Sequence, residues 1–431
     1  MRLLYVTFLV FPLFLWGQHQ DLKRHGLWHA GLHFANPGIE VRSVTAEKAA
    51  ARAGLLPGDL ILKINGQGIS SEVDYQKIRR SLRAGVPAQL LVRRGQELLE
   101  TSIDLDPYPM ENTPGLDTRY GTLTTDHGDR LRTIITQPEG ATGKRPAILF
   151  IQWLSCDAPE QYWRFRDGWA AMAQEISKAG YLFLRVTKPG VGDSEGPDCA
   201  DYGFDYELET YRSALRYLRS LPEVDTSRIF LFGGSMGGSM APIIAQSENL
   251  KGIIVSGCYV KTWYEHILEI ERRISTLSGD SPAETNEEMK AWSVFYSLYL
   301  NEKKTPGEIF QTRPEFQKIW NEPPTHQYGR PVHFYMEANE HNIASYWEKL
   351  HLPVLVIYGE YDWIMSRQDH VMIADIMNKK REGYGTFLEV PGMDHQFAIY
   401  SSLQAAFDGP SQVFDQSVAD KTIQWLQKFA E

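Results

Sequence analysis

RIFLFGGSMGGSMAP, residues 228–242, decides how this chain is read. Ile229–Phe232 is a short continuous apolar run, the pattern of a strand buried on both faces. Four glycines and two serines follow, and then helix-compatible sequence. Gly233-Gly234-Ser235-Met236-Gly237 fits G-x-S-x-G in the strand-to-helix setting that the motif requires. The chain must turn so sharply there that only small side chains fit two residues before and after the serine. Gly233 and Gly237 hold those places. The turn presents Ser235 at the mouth of the next helix, beside its free amide donors. Ser239 lies one helical turn further on, without that presentation, and is expected to pack.

A serine hydroxyl needs a base to take its proton, and the base needs an orienting carboxylate. In this setting both are expected downstream, acid before histidine, each after a strand. PVLVIYGEYDWIM (353–365) offers Asp362 just beyond a strand, with Glu360 as a competitor nearer the strand's end. FLEVPGMDHQF (387–397) offers His395 after a strand and a Pro-Gly turn. His370 falls within a helical pattern and is expected to support the site or lie at the surface.

Outward from this centre, strands alternate with helices. The strands are 146–151, 181–186, 228–232, 252–257, 353–358 and 386–390. Helical patterns lie near 160–179, 203–220, 236–247, 369–380 and 414–430. Short apolar strands separated by helices predict a parallel sheet covered on both faces. YGTLTTDHGDRLRTIITQPEG (120–140) adds two strands across a turn. Residues 259–351 break the rhythm. They are too long for a connection, mostly helical and rich in aromatics such as Trp263, Trp292, Tyr299 and Trp347, and they predict a cap insertion. Residues 106–118, proline-rich and polar, read as a linker. Before them, residues 26–105 form a compact α+β unit of short strands and two helices.

That N-terminal unit resembles a PDZ domain, through ARAGLLPGDLILKINGQGI (51–69) and AGLHF (30–34). The resemblance implies a groove that takes a peptide or protein C-terminus by strand addition. His33 stands where the family's carboxylate-binding loop has its second glycine. Residues 119–431 resemble the α/β-hydrolase fold, with KPGVGDSEGP (188–197) matching the family's loop after its fourth strand. The resemblance implies a triad of Ser235, Asp362 and His395. It implies an oxyanion hole from the Met236 amide and a second amide in Gln152-Trp153-Leu154-Ser155-Cys156: Leu154 by alignment, Trp153 as the alternative. Trp153 occupies a place where glycine is common. The two domains together resemble secreted bacterial esterases, with serine aminopeptidases as close relatives. An aminopeptidase would need an acidic anchor for the substrate ammonium, and Glu265, Glu269, Glu271 and Glu337 of the cap are candidates.

The bulk numbers narrow the function classes. The chain has 431 residues and a formal net charge of −10, which repels phosphate backbones, so no nucleic-acid partner is expected. MRLLYVTFLVFPLFLWG (1–17) reads as a signal peptide, too short to span a bilayer comfortably, and implies export. Of the three cysteines, Cys258 ends an apolar strand and reads as packing. Cys156 and Cys199 lie in loops expected at the same sheet edge and are the candidate disulfide. His25, His29 and His33 have ligand-like spacing, but Gly26 and Gly31 interrupt any helix there, and no metal is expected. EANEH (337–341) lacks the two-histidine spacing of a zinc protease. No cofactor is implied. The expected activity is cleavage of a small-molecule ester, or of a peptide by the same triad. A non-catalytic peptide-binding protein is the alternative of another class.

Overall fold

The computed structural model describes residues 21–160, 168–409 and 413–430. The leader-like run 1–17 and the first residues of the helix expected near 160 lie outside them. Among the described residues no helix is long and apolar enough to cross a membrane.

The N-terminal sheet runs Ala30–Phe34, Ile39–Val44, Leu60–Ile64, Ala88–Arg94, Glu97–Ile103, with Gln67–Gly68 paired to the third of these. Ala30–Phe34 pairs on one side only, so its other edge is open beside helix Glu72–Ser81. A separate core of Ile39, Val41, Ile61, Ile64, Ile78 and Leu90 holds this unit together.

The second sheet has eight strands, in the order Gly385–Val390, Val354–Gly359, Gly252–Ser256, Val224–Gly234, Arg145–Ile151, Leu182–Val186, Arg130–Pro138, Leu116–Thr124. The first six are parallel neighbours, and the last two complete one edge antiparallel. Strand alternation explains the coverage of both faces. Ala147, Leu149 and Ile151 enter one core, while Ile148 and Phe150 enter the other. Helices Gly168–Lys178 and Gln416–Ala430 contribute to the second, and Phe204–Ser220 and Met236–Ile244 to the first.

The expected linker differs from the sequence reading. The last sheet strand begins at Leu116, inside the expected linker, and Asp106–Pro107 pairs with Gly26–Leu27. The connection is therefore built into both units, because its polar backbone finds partners on either side. The insertion is helical: Trp263–Leu277, Pro282–Tyr296, Pro306–Thr312, Val332–Glu340 and Ile343–Lys349. Thr262/Glu265, Ser281/Glu284 and Thr305/Glu308 start three of these helices with reciprocal capping boxes.

The two units meet through charge. Arg24 binds Glu160 and Asp193 at 2.6 and 2.5 Å, Arg80 binds Asp198 at 2.7 Å, and Lys77 binds Asp201 at 2.5 Å. The buried Arg132 reaches back to the Leu22 carbonyl at 2.7 Å.

Candidate active site

Strand Val224–Gly234 ends directly in helix Met236–Ile244, and Ser235 is the hinge residue at φ 55°, ψ −124°. A non-glycine residue at positive φ is strained, and the surroundings must impose it. They do so by contact. A Cβ on Gly233 would lie 2.5 Å from the Gly237 carbonyl oxygen, and one on Gly237 would lie 2.1 Å from that of Ile151. The Ser235 N–H donates to the Ser256 carbonyl at 2.9 Å, tying the turn to the neighbouring strand. Ser239 points elsewhere: its hydroxyl donates to the Tyr259 carbonyl at 2.8 Å in the core.

Asp362 is buried just past strand Val354–Gly359. Its Oδ1 accepts from the Ile364 and Met365 amides at 3.0 and 2.9 Å, and its Oδ2 lies 2.8 Å from His395 Nδ1. Burial drives the Asp362 carboxyl up, but His395 and the Met365 amide outweigh it and hold it below the usual carboxylate range. Burial drives the His395 imidazolium down, and Asp362 outweighs that, leaving it above the ordinary histidine value. The carboxylate therefore fixes which nitrogen carries the proton and favours the charged ring. Glu360 is exposed and accepts from the Gly392 amide at 2.8 Å. His370 is fully buried rather than at the surface. Its Nε2 accepts from the Cys258 amide at 3.1 Å, and its Nδ1 lies 2.8 Å from the Ser366 carbonyl.

Ser235, Met236, Leu154 and His395 line one cavity of about 480 Å³. The Met236 amide opens the helix beside Ser235, and the other candidate donor, Leu154, comes from the loop after strand Arg145–Ile151. Trp153, in the place where glycine is common, packs its ring against Trp169 and Phe150 with centroids 6.1 and 5.9 Å apart. The remaining wall is mostly apolar and includes Trp263, Ile270, Ile274 and Met365. Of the other cap aromatics, Phe295, Tyr299, Tyr335 and Trp347 are fully buried in the core, and Trp292 packs half-buried against it.

The four cap carboxylates are engaged away from the cavity. Glu265 caps its own helix, Glu269 pairs with Lys261, Glu271 accepts from the Tyr296 hydroxyl, and Glu337 accepts from the Asp205 amide. Among the described residues the carboxylate that lines the cavity is Asp157, in the same loop as Leu154. Cys156 and Cys199 form a disulfide with Cα atoms 5.7 Å apart, and Cys258 is free and buried. His25 meets Glu160 and Asp193, but Arg24 already binds both carboxylates, which makes the trio a charge network. His29 sits apart, 3.4 Å from Asp106.

Sequence reading missed Gly257. Its φ is +56°, and a Cβ there would lie 2.6 Å from His395 Cε1. It keeps the space in which the imidazole stands beside Asp362. Only its position just after a strand, level with the nucleophile turn, could have marked it.

The family model described as serine aminopeptidase, S33, matches residues 165–398, and a PDZ domain model matches residues 20–105. Esterase EstD of Thermotoga maritima is 21% identical over 236 residues, covering 54% of this chain and 50% of that protein. Dipeptidyl-peptidase 5 of Porphyromonas gingivalis is 31% identical over 120 residues, 27% of this chain and 17% of its own. Quorum-quenching protein AidA of Acinetobacter baumannii is 31% identical over 88 residues, 20% of this chain and 29% of its own. The chain thus spans half or less of the length of these relatives. Among solved structures, ferulic acid-bound Est1E of Butyrivibrio proteoclasticus is 15% identical with a TM-score of 0.48, covering 72% of this chain and 98% of that one. With an eight-stranded sheet carrying an elbow serine, and a family model that matches more than half its length, the chain belongs to the serine aminopeptidase S33 family, on an α/β-hydrolase fold preceded by a PDZ domain.

Proposed function

We propose that the protein is a serine hydrolase that cleaves carboxylic esters through an acyl-enzyme. The observation that carries this reading is Ser235 on a strained elbow in the same cavity as His395, whose Nδ1 is held by buried Asp362. Asp362 occupies Nδ1, so proton transfer falls to Nε2. Ser235 Oγ adds to the ester carbonyl as its proton passes to Nε2, and the carbonyl oxygen becomes an oxyanion facing the Met236 and Leu154 amides. Collapse breaks the bond to the alkoxide, which leaves with that proton. Water then adds to the acyl-enzyme by the same route, releasing the acid and restoring Ser235. The apolar wall of Trp263, Ile270, Ile274 and Met365 favours an apolar acyl group. Ser235→Ala should abolish hydrolysis of p-nitrophenyl esters and labelling by a fluorophosphonate, while Ser239→Ala should keep both. Turnover retained in Ser235→Ala overturns the reading.

A peptidase reading is favoured by one observation, the Asp157 carboxylate in the cavity wall. A substrate α-ammonium would pair with it. On this reading aminoacyl nitroanilides with a free amine are cleaved, their N-acetylated forms are not, and Asp157→Asn removes the difference. A second cavity, of about 690 Å³, lies between the PDZ unit and the hydrolase, and Trp153 and Asp157 line it as well as the first. Its PDZ wall includes the Ala30–Leu32 edge and Arg79. This shared wall supports an extended peptide arm of the substrate, or a protein C-terminus, as the PDZ ligand. Export is part of the same proposal, supported by the leader-like residues 1–17 and by a disulfide that persists in oxidising compartments.

A further inference from the structure

Lys188 lies two residues beyond strand Leu182–Val186 and is fully buried. Its Nζ donates to the Trp153 carbonyl at 2.6 Å and reaches the Leu154 and Ser155 carbonyls, both at 3.2 Å. It is also 3.0 Å from Glu207 on helix Phe204–Ser220, whose other carboxylate oxygen is 2.6 Å from Arg330 of the cap. Arg330 in turn approaches the Leu154 carbonyl at 3.4 Å. All three side chains are fully buried. Two cations against one carboxylate leave a surplus positive charge out of reach of water, and such a charge demands compensation. The compensation is the row of loop carbonyls.

That row has a geometric consequence. In a trans peptide the N–H points opposite to the C=O of the same plane. The Trp153 carbonyl belongs to the same peptide plane as the Leu154 N–H. Lys188, by holding that oxygen inward, turns the Leu154 N–H the other way, and Leu154 lines the cavity that contains Ser235. A cation on the carbonyl also polarises the amide and strengthens its donation. Glu207 already has Arg330 as a counter-ion, so a lysine present only to neutralise it would be surplus.

We propose that Lys188, assisted by Arg330 from the cap, is a positioning residue that aims the Leu154 amide into the site as an oxyanion donor. This rests on the acyl-transfer reading above. It explains how the loop keeps one conformation with tryptophan in place of glycine, and it links the cap to the transition state without cap contact to the reacting atoms. Burial draws the Lys188 ammonium down to about 8, against the pull of Glu207 and Asp157 and with the push of Arg330. Loss of that proton should release the carbonyls, so activity should fall on the alkaline side.

The test uses the full chain and p-nitrophenyl acetate. Lys188→Met keeps the stem and leaves Glu207 paired with Arg330. Its kcat should fall by about 100-fold or more with KM little changed, the size of effect expected for losing one oxyanion donor. Affinity for a trifluoromethyl ketone, which places a negative oxygen in the hole, should fall by the same factor. Ser235→Ala is measured in parallel. If Ser235→Ala turns over, the acyl-transfer reading has failed. If it is inactive while Lys188→Met stays within about threefold of the parent, the positioning role is overturned. Glu207→Gln decides the matter if Lys188→Met does not fold. It removes the anion that holds the proton on Lys188, so the alkaline fall in kcat should move to lower pH. An alkaline limb that is absent or unmoved overturns the proposal.

Discussion

Asp362 uses both carboxylate oxygens, one on the backbone amides of Ile364 and Met365 and one on His395, and this division sets the pH response of the site. Asp362→Asn should keep the turn, because an amide oxygen still accepts from those two amides. It should cut turnover by about three to four orders of magnitude, since the imidazole loses its fixed tautomer. The sign of the pH effect follows from the balance at His395. Burial lowers its pKa and Asp362 raises it above the ordinary value. With the carboxylate gone, burial dominates, and the acid limb of the residual kcat/KM should move to lower pH. Glu360→Gln should leave the limb where it is, and a larger effect there would reassign the acid. These residues were legible because each is announced by local punctuation, a glycine pair, a strand end or a Pro-Gly turn. Lys188 was not. It stood in plain view in KPGVGDSEGP, but a buried lysine is defined by partners at 153–155, 207 and 330, and no local pattern relates those positions.

The elements that carry the site were legible for the same reason that they are stable. Six parallel strands, rich in Ile, Val, Leu and Phe, each end where the chain must leave the sheet, and the parallel register brings those ends to one edge. The first residue after Ser256 is Gly257, whose missing side chain makes room for the imidazole. Gly257→Ala should retain the fold and lose activity by about 100-fold or more, since displacing a catalytic group by about an ångström has that effect. A melting curve near the parent's, with kcat unchanged, would show that the space is not needed. The two loops joined by Cys156–Cys199 follow neighbouring strands, which is why their pairing was legible from strand order. The bond closes a loop of sequence separation 43, worth about 3–4 kcal/mol in the chain-entropy model. Peptide mapping without reduction should recover the two cysteines in one linked fragment, with Cys258 alkylated only after unfolding. The cap was legible as an insertion but not as a shape, because its aromatics have no period that separates core from cavity.

At the scale of the molecule, residues 106–118 read as a tether, and the structure gives them a different part. Glu111 holds Arg185 at 2.7 Å, both nearly buried. Asp106–Pro107 pairs with the start of the PDZ unit. A composition of Pro, Asn, Gly and Asp marks such a stretch as irregular but cannot say that its polar groups are buried. A chain beginning at Arg119 would keep Ser235, Asp362 and His395 and strip Arg185 of its carboxylate. Removing one partner of a buried ion pair costs about 3–5 kcal/mol. The shortened enzyme should therefore melt well below the full chain, and equal melting temperatures would show that the interface carries no stability. Arg132 carries this dependence to the first residues described. It binds the Leu22 carbonyl and shares Asp193 with Arg24. Cleavage before Asp21 would leave these contacts intact. Trimming on past Arg24 would remove two of the anchors, the Leu22 carbonyl and the Arg24 guanidinium, together with the buried Leu22 side chain, so the position of the N-terminal end would set how long the two domains stay joined.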